Sequence, residues 1–171
     1  MTVATISAVS ADEFRKVMSK FASGITIITG HDGAEPIGFT CQSFYSVSVD
    51  PMLVSFSVMK TSTTYPRIRD TGKFAVNVLA REQAGVSGQF ARKGADKWAS
   101  IAWQACRSGD PVIADTLMWV DCDIWAEYDA GDHWIVVGEV QELCPADWHP
   151  GDPLLYFKGQ YRSLGELEQC A

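Results

Sequence analysis

A β-dominated domain whose strands close into a barrel is the fold that the sequence predicts, and three observations lead to it. From Ile37 to Val58, apolar and polar side chains alternate with the period of half-buried strands. About seven stretches of strand character follow one another with only short helical patterns between them, and that many strands are better closed than left with long exposed edges. The chain of 171 residues, 47% hydrophobic with six tryptophans and eight phenylalanines, can bury the core of one ordinary domain, and a second full domain is not expected.

Ser10, three residues before Glu13, makes a capping box, and Phe14, Val17, Met18 and Phe21 place one apolar stripe on the helix that follows, which stops near Gly24. GITIITG, Gly24 to Gly30, is a β-branched strand, and the turn His31-Asp32-Gly33 folds it into a hairpin with the next stretch. That stretch, Gly38 to Val58, reads as two strands joined at Asp50-Pro51. Phe39, Cys41, Tyr45, Val47 and Val49 alternate with Thr40, Gln42, Ser46 and Ser48, but Ser43 and Phe44 reverse the polarity. Such a swap predicts a bulge or bend that re-aims side chains. The strand from Met52 to Val58 runs straight into Met59-Lys60-Thr61-Ser62-Thr63-Thr64, where a lysine among hydroxyls at a strand end suits an anion. The same residues also suit the wet face and N-cap of ordinary elements.

Ser62 to Asp70 has the pattern of a short helix, with Pro66 in its first turn and Gly72 beyond its end, and Lys73 to Ala80 returns to strand. Arg81 to Arg92 reads as another short helix, and Lys93 to Trp103 as an irregular connection long enough to carry function. Between Thr116 and Leu143, long strand-like runs flank Asp129-Ala130-Gly131-Asp132, and LLYFKGQYR, Leu154 to Arg162, closes the chain with a last strand that Tyr161 and Arg162 follow.

Composition removes several classes of function. A formal charge of −7 argues against holding nucleic acid or an anionic membrane through the overall field, so any phosphate must be met locally. The five cysteines, Cys41, Cys106, Cys122, Cys144 and Cys170, include no C-x-x-C pair, which points to reduced thiols in the cytoplasm and neither a zinc site nor a disulfide scaffold. The N-terminal MTVATISAVSADEF lacks the pattern of a secretory leader, and no apolar run approaches the ~18 residues of a membrane span. Dinucleotide-fold, P-loop, zincin and hydrolase signatures are all missing. With His31, His133 and His149 alone available, a histidine metal cluster or a Ser-His-Asp triad is a poor fit, and the chemistry is expected to lie in a cofactor.

Taken in order, FRKVMSKFASGITIITG, GFTCQSFYSVSVDPMLVSFSV, KTS, GKFAVNVLA, GDHWIVVGEV and PLLYFKGQY resemble the short-chain flavin reductases that serve two-component flavin monooxygenases. The resemblance runs from about Asp12 to Leu164, within one domain over residues 1–171. It implies a split β-barrel homodimer that binds FMN or FAD near the subunit interface, reduces it with NADH or NADPH, and supplies diffusible reduced flavin to a monooxygenase. On the same grounds Thr40, Cys41, Gln42 and Ser43 align with the flavin-contacting strand, and Ser57, Lys60, Thr61 and Ser62 with the segment that receives the phosphate. Phe90, Arg92 and Lys93 fall where a helix end reaches the flavin diphosphate or adenosine, and their alternative is a solvated helix end. His133 matches a histidine on the nicotinamide side, where it would orient NAD(P)H or polarise the reacting pair; by sequence alone it is a turn residue. Tyr161 and Arg162 are placed to cover the site or to pack on the barrel rim, and the tryptophans to fill core or dimer interface. Two other readings of the same fold stay open: a flavoprotein that retains FMN for its own substrate, and a non-enzymatic flavin- or haem-binding barrel.

Overall fold

The computed structural model describes residues 9–94, 96–144, 149 and 151–165; Trp148, Cys170 and the stretch before Val9 lie outside them. The capping box is present, with Ser10 Oγ accepting the Glu13 N–H at 3.2 Å and Glu13 Oε2 accepting the Ser10 N–H at 3.0 Å. The helix it opens, α1 (Ala11–Met18), ends earlier than the stripe suggested, and the stripe is not covered: Phe14, Val17, Met18 and Phe21 are between 50% and 76% exposed.

The strands follow as β1 (Ser23–Gly24), β2 (Thr26–His31), β3 (Pro36–Cys41), β4 (Tyr45–Val49) and β5 (Met52–Met59). After α2 (Tyr65–Thr71) come β6 (Lys73–Val78), a 3-10 turn at Arg81–Gln83 and α3 (Ala84–Ala91). The rest comprises β7 (Trp103–Ala105), β8 (Pro111–Ile113), the long pair β9 (Met118–Ala130) and β10 (His133–Cys144), then β11 (Leu155–Phe157) and β12 (Gln160–Arg162). Seven of these form one antiparallel sheet in the order β3-β2-β6-β9-β10-β5-β4. The closing stretch is not one strand of that sheet. It folds as the β11–β12 hairpin, which pairs with β1 in a separate three-stranded sheet.

The reading of Gly38 to Val58 as two strands with a bulge is corrected to three strands, β3, β4 and β5. At Gln42-Ser43-Phe44 the chain leaves one end of the sheet order and enters the other, which rolls the sheet into a split barrel with its seam between β3 and β5. Ser43 fills that seam. Its hydroxyl accepts the Ser57 N–H at 2.7 Å and donates to the Ser57 carbonyl at 3.1 Å, continuing by side chain the register that pairs Tyr45 with Ser55. Polarity reverses at this point because the side chain takes over a backbone's work.

Inside the barrel, Phe56 is fully buried and meets Phe74 edge-on at 5.1 Å, Tyr65 at 6.0 Å and Phe39 at 6.1 Å. A second apolar cluster, with Ile25, Ile27, Leu79, Phe90, Ile113 and Leu154, lies between the sheet, α3 and the short strands. Buried Asn77 ties the two regions: its amide donates to Thr29 Oγ1 at 3.1 Å and its carbonyl accepts the Ile113 N–H at 2.7 Å. A buried amide satisfied on both sides fixes β8 against β6 in one arrangement.

Candidate functional site

The seam opens into a groove of about 770 Å³, within the size range of small-molecule sites. One wall is the end of β3 and the bend after it, carrying Phe39 to Ser43; the facing wall is the end of β5, from Ser57, and the segment Thr61–Thr64 before α2. Their side chains have different jobs. The Thr40 hydroxyl donates to the Ser87 carbonyl of α3 at 2.7 Å, and the Ser43 hydroxyl is spent on the seam. Cys41 is buried beside Ser43 Oγ at 3.3 Å, and burial pushes its thiol pKa up, which keeps it protonated and unreactive. Gln42 is exposed at the rim, and Ser57 is half-buried with its backbone held by Ser43.

The third side is the C-terminal end of α3 and the connection after it. Phe90 is 1% exposed and supplies apolar floor, possible because Gly38 has no side chain: a Cβ there would stand 2.9 Å from the Phe90 ring. Arg92 and Lys93 are exposed on the rim. His133 enters from the β9–β10 hairpin, whose two-residue turn has Gly131 at φ 69°, a conformation that suits glycine. The turn is anchored to β5 by the Lys60 N–H on the Asp132 carbonyl at 2.9 Å, which sets His133 opposite Met59. Half-exposed His133 holds Asp132 Oδ1 through Nδ1 at 2.7 Å, and this contact lowers the Asp132 carboxyl pKa.

Eleven of the sequence-derived candidates therefore meet around one groove: Thr40, Cys41, Gln42, Ser43, Ser57, Thr61, Ser62, Phe90, Arg92, Lys93 and His133. Two do not line it. Lys60 turns to the outside of its strand, where its ammonium pairs with Asp129 at 2.6 Å and lies 5.0 Å from the Trp134 ring centre. Tyr161 packs behind α3, its hydroxyl 2.9 Å from Ser87 Oγ and its ring edge-on to Tyr156. Sequence reasoning missed Thr63, Thr64 and Lys97, which also line the groove. Thr63 and Thr64 sat inside the hydroxyl run already noted, whereas Lys97 lies in a connection with no period to say where its side chain goes.

The hydroxyl-lined wall, cationic rim and enclosed apolar floor suit a flat heteroaromatic carrying phosphate. In agreement, the model of the flavin reductase like domain matches residues 18–165. The chain belongs to this family. The family defines the protein as a flavin reductase, an oxidoreductase, and its structural relatives share the split barrel. It is 39% identical over 157 residues to the reductase subunit of a flavin-dependent monooxygenase from Rhodococcus jostii, covering 92% of this chain and 80% of that one. Nitrilotriacetate monooxygenase component B from Mycobacterium thermoresistibile superposes with a TM-score of 0.88 at 38% identity, over 90% of this chain and 86% of that one. An NADH:FAD oxidoreductase from Streptomyces globisporus, solved with NAD and FAD fragments, superposes with a TM-score of 0.83 at 32% identity, over 94% of each chain. Among the described residues of this flavin reductase, no helix is long and apolar enough to cross a membrane.

Proposed function

We propose that this flavin reductase takes a hydride from NADH to reduce FAD or FMN in the seam groove and, as a cytoplasmic homodimer, releases the reduced flavin to a separate monooxygenase component. The observation that carries this reading is the groove, which joins a hydroxyl-rich segment, a cationic rim and the His133 imidazole, with no carboxylate in its lining among the described residues. A flavin bound there would supply the redox chemistry, as acceptor of the hydride. The protein's own residues bind and align. Thr61, Ser62 and the neighbouring hydroxyls offer donors to a phosphate. The bend at Gln42 and Ser43 presents polar groups to the ring edge, Phe90 and the buried Cys41 thiol keep the floor dry, and His133 stands where a nicotinamide would approach. Holding two rings in stacked register is the main contribution asked of such a site. NADH is favoured over NADPH because, among the described residues, the rim carries one arginine, Arg92, and no cluster for a 2′-phosphate.

Release fits an open groove, and the relative from Rhodococcus jostii is itself named as the reductase subunit of a monooxygenase. The test follows NADH consumption against added free flavin. Oxidation that requires flavin and saturates with it is expected, together with transfer to an oxygenase that an unrelated flavin reductase of equal flux supports equally well. NADH oxidation that ignores added flavin would overturn release, and no NADH oxidation with any flavin would overturn the reading itself.

A further inference from the structure

Lys97 differs from the ion-paired cations of this acidic chain. Arg15, Lys60, Arg67, Arg69 and Arg81 each sit in an ion pair with a carboxylate. Lys97 is half-buried in the groove lining, and among the described residues its ammonium meets only a backbone oxygen, the Gly38 carbonyl, at 3.1 Å. Burial lowers its pKa, and among the described residues no carboxylate pairs with it to offset the loss of water. A partly desolvated ammonium that meets one neutral acceptor gains from an anion brought beside it.

Its position is built. Gln89 of α3 donates from its side-chain amide to the Lys97 carbonyl at 3.0 Å and the Ala99 carbonyl at 2.9 Å. The next residue, Trp98, packs edge-on against Phe90 at 4.9 Å, anchoring the connection in the second core cluster. Lys97 is thus aimed from a fixed backbone at the β3 wall. With Arg92 and Lys93, which form no ion pair among the described residues, it makes a cationic rim on a different element from the hydroxyl segment Thr61–Thr64. A mononucleotide has one phosphate to offer, and the hydroxyl segment already suits it. A second anion-receptive rim calls for a ligand with more phosphate to place.

We propose that Lys97 is a specificity-determining residue whose ammonium leaves the Gly38 carbonyl to hold the diphosphate of a bound dinucleotide. The inference rests on the reading of the groove as a flavin site, and it favours FAD over FMN. NADH is the other possible source of the diphosphate.

The experiment measures equilibrium binding of oxidised FAD, FMN and riboflavin, and separately of NAD, to the wild type, Lys97→Met and Lys97→Arg. Methionine keeps the apolar stem and removes the charge; arginine restores the charge. A loss of about tenfold for FAD in Lys97→Met, with FMN and riboflavin within about twofold and recovery in Lys97→Arg, supports the flavin diphosphate. The same loss confined to NAD supports the diphosphate of the nicotinamide donor. Equal losses for riboflavin and FAD would show that Lys97 only braces the wall through Gly38, equal losses for FMN and FAD would assign it to a single phosphate, and unchanged constants throughout would leave it no ligand; each overturns the proposal. Binding is read without turnover, so a protein that discriminates FAD through Lys97 yet oxidises no NADH would sink the proposed activity and leave this inference standing.

Discussion

Asp110 is fully buried, its Oδ1 accepts the His31 N–H at 3.0 Å, and its Oδ2 meets no donor among the described residues. Burial raises its pKa, with the Asp121 carboxylate adding to the rise and the Lys73 ammonium opposing it. The folded protein therefore takes up this proton more readily than the unfolded chain. Its contribution to stability is complete below the ordinary carboxylate range and is lost as pH climbs through the raised value. Asp110→Asn should keep the acceptor for His31 and remove the charge. We expect it to raise the thermal midpoint at neutral pH, by on the order of 1 kcal/mol of stability, and to match the parent near pH ~4. A pH series of calorimetric scans checks this, and a gain independent of pH would point to packing instead. Single residues also show the limit of sequence reading. Lys60 and Lys97 look alike in sequence, but the register of β5 sends one to Asp129 outside the barrel, while a glutamine staple aims the other into the groove.

At the scale of elements, the seam depends on Ser43. Replacing it with alanine leaves both the N–H and the carbonyl of Ser57 without this partner, which costs about 1–3 kcal/mol where they are desolvated. Ser43→Ala is predicted to lower the unfolding midpoint and to raise the flavin KM severalfold, with a smaller change in kcat, while Ser43→Thr recovers both. Parental stability in the alanine variant would show that water closes the seam as well as the hydroxyl does. The helix cap at Ser10, the β2–β3 turn, α2 with its glycine stop and the long β9–β10 hairpin were all legible, because each is written in local period and cap chemistry. The reversal at Ser43-Phe44 was legible too, but as a bulge. Local alternation records that the chain turns and holds nothing about which distant strand it turns toward.

For the whole molecule, the uncovered surface matters most. α1 has no buried residue, and its Phe14, Val17, Met18 and Phe21 are accompanied by exposed Tyr45, Val47, Val49 and Met52 of the β4–β5 hairpin and by Trp125 and Tyr128 of β9. So much exposed apolar surface, with a well-capped helix that buries no residue among the described ones, suits the proposed homodimer. The helical period of the stripe identified an apolar face correctly but could not say whether the same chain or a second copy covers it. Phe14→Asp combined with Val17→Asp is predicted to shift sedimentation from dimer to monomer at micromolar concentration. A parental sedimentation coefficient would place the interface elsewhere.

The order of the strands also divides the groove in time. Ser43 and Ser57, which close its wall, are 14 residues apart, so that wall can form within one β3–β4–β5 unit at small loop-closure cost. His133 arrives only when β10 zips onto β5, a pairing marked by the Ser55 hydroxyl on the Val136 carbonyl across 81 residues. Contacts of that separation form late because more chain must be ordered before they are rewarded. During folding the proposed flavin side of the groove is thus available to take shape early, and the proposed nicotinamide side is completed when β10 closes on β5. A half-folded chain with the β3–β4–β5 unit alone would carry the proposed flavin wall without the proposed nicotinamide side.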